Sequence, residues 1–158
     1  MTLDTARQGS LTLFSNEPGY TLRPYQLDCL AALKAYREKG GKRCLVAMAT
    51  GTGKTVIFSH LPALFGGRLL VLAHREELLD QAAAKLMEAN PHLSVAIEQA
   101  ERSAPPGTDI VVASGQTLIS NRRRLDALAS STPFTALVVD EAHRMSAADE
   151  SHKSMRYR

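Results

Sequence analysis

Four short unbroken apolar runs recur along the chain: Leu45-Val46-Ala47-Met48, Leu69-Leu70-Val71-Leu72, Ile110-Val111-Val112-Ala113 and Ala136-Leu137-Val138-Val139. Each has the length of a buried strand. An apolar run without alternation implies cover on both sheet faces, and hence parallel strands. A shorter strand is expected at Val95-Ala96-Ile97. Between the runs the period becomes helical. Pro24 suits the first turn of a helix whose apolar face is Cys29, Leu30, Leu33 and Tyr36, and Gly40-Gly41 stops it. A second helix is expected over about 54–65, kinked or ended by Pro62. A third covers about 75–89, with Leu78, Leu79, Ala82, Ala83, Leu86 and Met87 as its buried stripe and Asn90-Pro91 as its stop. Pro105-Pro106-Gly107 marks a loop, and a further helix is expected over about 116–129. Strands alternating with helices predict a doubly wound α/β fold with right-handed crossovers, its ligand bound outside the carboxyl ends of the strands.

Composition narrows this only a little. The chain has 158 residues, 44% hydrophobic and 22% charged, which fits one globular domain with an ordinary core. No apolar run approaches the ~20 residues of a membrane span, and residues 1–16 carry no signal-peptide pattern. Cys29 and Cys44 lack metal-ligand spacing, so reduced thiols in a cytoplasmic protein are expected. A net charge of +3 permits an acidic partner such as nucleic acid without demanding one. Residues 1–19 read as a polar lead-in, 20–143 as the folded domain and 144–158 as a basic polar tail. The run Arg122-Arg123-Arg124 reads as a solvated helix face.

Two motifs carry chemistry. The first apolar run leads into Ala49-Thr50-Gly51-Thr52-Gly53-Lys54-Thr55, followed by a helix. Glycines let successive backbone N–H groups turn around a phosphate, and the helix N-terminus adds partial positive charge. Lys54 would reach the β- and γ-phosphates and Thr55 would hold Mg²⁺. The general pattern has glycine five residues before Gly53, where this chain has Met48. The last apolar run leads into Asp140-Glu141-Ala142-His143. On the same sheet edge, Asp140 would orient the metal and Glu141 would accept a proton from attacking water.

Taken in order, these motifs resemble the first RecA-like, ATP-binding domain of a superfamily 2 DEAD/DEAH-box helicase, closest to the type III restriction enzyme-like group. The resemblance covers Leu22 to His143. It implies a P-loop NTPase fold, a RecA-like three-layer domain with a mostly parallel sheet, using ATP and Mg²⁺. Leu22-Arg23-Pro24-Tyr25-Gln26 resembles the adenine-recognition segment. There the Gln26 amide offers one donor and one acceptor to the adenine edge, and Leu22 and Arg23 pack on the base. Read alone, Gln26 is a solvent-facing helix residue. His74 and Arg75, in Val71-Leu72-Ala73-His74-Arg75-Glu76, resemble a nucleic-acid backbone contact. Ser114, Gly115, Gln116 and Thr117 resemble a second one; read alone, Ser114 is a plain helix cap. His143 resembles the residue that couples the nucleotide site to the rest of the motor.

The resemblance stops after His143, so the chain is expected to lack its C-terminal strand(s) and the second RecA-like domain that supplies an arginine finger. It therefore reads as an ATP-binding, weakly hydrolysing domain of a DNA helicase or translocase that does not unwind alone. DNA is favoured over RNA, and a second RecA-like domain on another chain or self-association would complete it. A non-catalytic nucleotide- or nucleic-acid-binding module is the alternative. A small P-loop kinase fits less well, because no acceptor or lid segment is visible.

Overall fold

The computed structural model describes residues 22–73, 76–130 and 132–142. The lead-in 1–19, the tail 144–158 and the site candidates His74, Arg75 and His143 lie outside them. Helix α1 (Pro24–Glu38) is followed by α2 (Lys54–Ser59), α3 (Leu61–Phe65), β1 (Arg68–Ala73), α4 (Glu76–Ala89), β2 (Val95–Glu98), β3 (Ile110–Ser114), α5 (Gly115–Ser120), α6 (Arg122–Ser130) and β4 (Phe134–Val139). The four strands form one parallel sheet in the order β2-β3-β1-β4, with Leu69 beside Ile110 and Ala136. All carboxyl ends therefore share one edge.

Side chains alternate across a strand, and the core divides accordingly. Leu69, Val71, Ile110 and Val112 pack with Leu30 of α1, Ile57 and Phe58 of α2 and Leu79 and Leu86 of α4. Leu70, Val111 and Ala113 pack on the other face with Leu118 of α5 and Leu128 of α6. Helices on both faces make three layers. That is why the runs of β1 and β3 are apolar throughout.

Several expectations change. Helix 54–65 breaks at His60, ahead of Pro62, which sits in the first turn of α3 where its missing N–H costs nothing. The helix expected over 116–129 divides at Asn121 into α5 and α6. Met87, assigned to the buried stripe of α4, is 49% exposed. The largest departure is Leu45-Val46-Ala47-Met48. This run joins no ladder, and Leu45 is 84% exposed. Its segment is held instead at one end, where the Tyr36 hydroxyl donates to the Arg43 carbonyl at 2.7 Å. A strand exists through its neighbour's hydrogen bonds, and four apolar residues specify none by themselves. Among the described residues β4 is consequently an edge strand. Ala136 and Val138 pack inward, but Leu137 on the opposite face is 58% exposed, so the described residues do not cover both faces here.

The arginine run is also corrected in part. Arg122 and Arg123 are exposed. Arg124 turns inward, its Nε 2.9 Å from Glu98 Oε1 and its Nη2 donating to Ser103 Oγ at 2.8 Å. Glu98 is 2% exposed at the end of β2, and its Oε2 also accepts the Ala104 N–H at 2.7 Å. Removing one partner of a buried ion pair strands the other charge. Arg124→Ala is expected to cost about 3 kcal/mol, while Arg122→Ala and Arg123→Ala stay within about 0.5 kcal/mol. Urea unfolding of the three variants measures this, and equal midpoints would contradict it.

Candidate nucleotide site

The glycine loop sits between α1 and α2. Gly53, at φ +83°, is left-handed and caps α2, placing Lys54 first in the helix. A Cβ at Gly53 would lie 2.5 Å from Gln26 Nε2 and would sit on a left-handed backbone, so a side chain here displaces the Gln26 amide and strains the turn. The loop folds on itself through Thr52 Oγ1, which donates to the Ala49 carbonyl at 2.6 Å. Gln26 is buried. Its Nε2 donates to the Thr52 carbonyl at 3.1 Å and its Oε1 accepts the Arg23 N–H at 2.9 Å. Its amide thus engages α1 and the loop rather than facing solvent. Leu22 is buried against the first core face, and Arg23 is exposed beside it.

The second half of the site comes from β4. The Asp140 N–H extends the ladder by bonding the Leu72 carbonyl at 2.9 Å, and Asp140 Oδ1 accepts the Glu141 N–H at 3.0 Å. Glu141 adopts φ +54°, an uncommon left-handed turn for a side-chain-bearing residue. Its Oε1 lies 3.9 Å from Lys54 Nζ, which also donates to the Met48 carbonyl at 3.4 Å. Both side chains are partly exposed, so the pair adds little stability. It nevertheless brings residues far apart in sequence to one place. Thr50, Lys54, Asp140 and Glu141 line a single cavity of about 940 Å³. Thr55 follows Lys54 in the first turn of α2. Thr55 does not itself line that cavity; its hydroxyl and the two carboxylates would together be an all-oxygen donor set of the kind Mg²⁺ takes.

Ser114, Gly115, Gln116 and Thr117 lie outside that cavity. Ser114 pairs in register with Ala73, two strands from Asp140 along the same sheet edge. Ser114 and Gly115 are buried, Gln116 is exposed, and Thr117 Oγ1 accepts the Ala100 N–H at 3.3 Å. Sequence reasoning assigned no role to Tyr25, whose hydroxyl donates to the Thr52 carbonyl at 2.8 Å. A phenol next to Gln26 was the available signal.

Solved structures share this fold. The Sulfolobus solfataricus SWI2/SNF2 ATPase core in complex with dsDNA matches with a TM-score of 0.62 at 22% identity, covering 79% of this chain and 27% of that one. A hypothetical ATP-dependent RNA helicase from Sulfolobus tokodaii matches with a TM-score of 0.65 at 20% identity, covering 91% and 43%. Fold and motif order together define a RecA-like domain of the superfamily 2 helicase class. The profile of the family described as "Type III restriction enzyme, res subunit" matches residues 19–157, and the chain belongs to that family. It is 37% identical over 130 residues to a Schizosaccharomyces pombe protein named as a mitochondrial ATP-dependent helicase, irc3, covering 78% of this chain and 21% of the relative. It is 31% identical over 145 residues to the type I restriction enzyme EcoKI endonuclease subunit of Escherichia coli K12, covering 83% and 12%. The chain thus spans about a fifth or less of these relatives' length. Among the described residues no helix is long and apolar enough to cross a membrane.

Proposed function

We propose that this domain binds ATP in the glycine loop and hydrolyses it slowly, as one half of a DNA-directed motor. The observation that carries this is the approach of Lys54 to Glu141, 3.9 Å apart at the shared carboxyl edge of the sheet. In this reading Thr50, Gly51, Thr52 and Gly53 offer backbone N–H groups to the phosphates, and Lys54 neutralises their charge. Leu22, Arg23 and Gln26 line the base side. Thr55 and Asp140 would hold Mg²⁺, which supplies charge neutralisation at the phosphates. Glu141 takes the proton from attacking water.

Ser114, Gly115, Gln116 and Thr117, with His74 and Arg75, would contact a nucleic-acid backbone, and His143 would couple them to the nucleotide. DNA is favoured over RNA because restriction enzymes stand among the relatives. An arginine supplied across an interface is worth about 10³–10⁵ in turnover for P-loop enzymes. A second RecA-like domain, on another chain or through self-association, would provide it and would make unwinding possible. Reduced thiols at Cys29 and Cys44 would suit a reducing compartment such as the cytoplasm.

Steady-state phosphate release from Mg-ATP, with and without single-stranded DNA or RNA, tests the reading. Slow release that rises with DNA is expected, and Lys54→Ala should reduce it to background. Release no greater than that of the variant would leave a non-catalytic binding module. Stimulation by RNA alone would overturn the preference for DNA.

A further inference from the structure

The Thr52 carbonyl, in the middle of the glycine loop, accepts two side-chain hydrogen bonds: 2.8 Å from the Tyr25 hydroxyl and 3.1 Å from Gln26 Nε2. Both donors are fixed from the first turn of α1. The Gln26 Oε1 accepts the Arg23 N–H at 2.9 Å, and the Tyr25 oxygen accepts from Arg23 Nη1 at 3.3 Å. Arg23, Tyr25, Thr52 and Gln26 therefore close a ring. The guanidinium donates into the phenol oxygen, which polarises the hydroxyl and strengthens its own donation.

A carbonyl oxygen has two lone pairs, and here both are engaged. In a planar trans peptide the C=O and N–H point in opposite directions. Drawing the Thr52 carbonyl towards α1 therefore turns the Gly53 N–H away from α1. The loop's amide is set before any phosphate arrives. Gln26 alone does not fix the plane, because one bond leaves the carbonyl free to tilt about it.

We propose that Tyr25 is a positioning residue for the phosphate loop, its hydroxyl holding the Thr52 carbonyl so that the Gly53 amide is preset for an anion. This rests on the reading that the loop binds nucleotide. Tyr25 acts on the loop rather than the base, so its loss should not depend on the base.

Tyr25→Phe removes only the hydroxyl. Binding of Mg-ATP and of inorganic tripolyphosphate with Mg²⁺ would be measured by calorimetry on the whole chain, beside wild type and Lys54→Ala. One neutral hydrogen bond corresponds to a loss of roughly three- to tenfold. Tyr25→Phe should weaken both ligands by the same factor within that range, and should lower the unliganded stability by no more than one net hydrogen bond, because the same bond is present before ligand arrives. Wild-type affinity for both ligands, with Lys54→Ala defective, would overturn this proposal alone. Weakening of ATP with tripolyphosphate unchanged would make Tyr25 a base contact and overturn it too. A lowered midpoint with both affinities unchanged would show a merely structural role. Wild type that binds neither ligand, or no better than Lys54→Ala, would overturn the nucleotide reading and this proposal together.

Discussion

Glu141→Gln is expected to lower ATP turnover by about 10²–10⁴ while the nucleotide stays bound. The substitution keeps size and hydrogen-bonding capacity but removes the group that would accept a proton from water. Glu141 is well placed to isolate that effect. Its pair with Lys54 is long, at 3.9 Å, and partly exposed, so losing it changes stability by no more than about 1 kcal/mol. Gln has the same backbone cost as Glu at φ +54°, so the turn that aims the side chain is unaltered. Binding should even tighten slightly, because a negative charge facing the phosphates disappears and Lys54 is released from its partner. Single-turnover hydrolysis beside equilibrium binding of Mg-ATP separates the two effects. Turnover equal to wild type would remove Glu141 from the chemistry. Lost binding would mean the residue holds the loop instead.

Arg68→Ala is the second large effect, and it concerns stability. Arg68 opens β1 at the sheet edge opposite the site and is buried. Its Nε donates to the Thr108 carbonyl at 2.8 Å, and Nη1 donates to the Leu128 carbonyl at 2.8 Å and to the Thr132 carbonyl. The guanidinium lies over the Phe134 ring, 4.4 Å from its centre. One side chain thus joins the loop before β3, the last turn of α6 and the start of β4. Its charge also helps hold the Asp109 carboxyl below the usual range, after the stronger hydrogen bonds from Ser94. Alanine would leave those carbonyls without this donor, at about 1–3 kcal/mol for each buried group left unsatisfied. The expected loss is about 3–5 kcal/mol, a large share of the ~5–15 kcal/mol that holds a domain together. Arg68→Lys should recover only part, because an ammonium lacks the planar fork. Urea unfolding measures both, and a lysine variant as stable as wild type would contradict the argument. Arg68 is the first of the six residues of β1, so roughly 17 Å separate it from the site edge, and nucleotide affinity in the folded variant should be unchanged.

Much of the architecture was legible because its signals are local. The runs at 69–72, 110–113 and 136–139 became β1, β3 and β4, and Val95–Ile97 became β2 with one more residue. The acidic pair could be placed at the carboxyl edge of the sheet because it follows a parallel strand, whereas the glycine loop follows none and meets that edge through Lys54. The same local logic failed at Leu45–Met48, where composition matched a strand but the ladder partner was not supplied. It failed again at Asn121 and His60, where single residues divided helices that the apolar period had carried through.

The amino-acid sequence by itself determined the period of each segment, the three-layer class and the residue types at the site, because backbone preference and apolar spacing act over a few residues. Tertiary structure alone decided which polar groups meet. Arg124, in a run of three identical residues, turns inward because Glu98 stands beside it. The Gln26 amide faces the Thr52 carbonyl rather than solvent because α1 packs against the loop. Glu141 reaches Lys54 because β4 ends where α2 begins. Each of these depends on the position of a partner distant in sequence, and only the closed fold specifies that position.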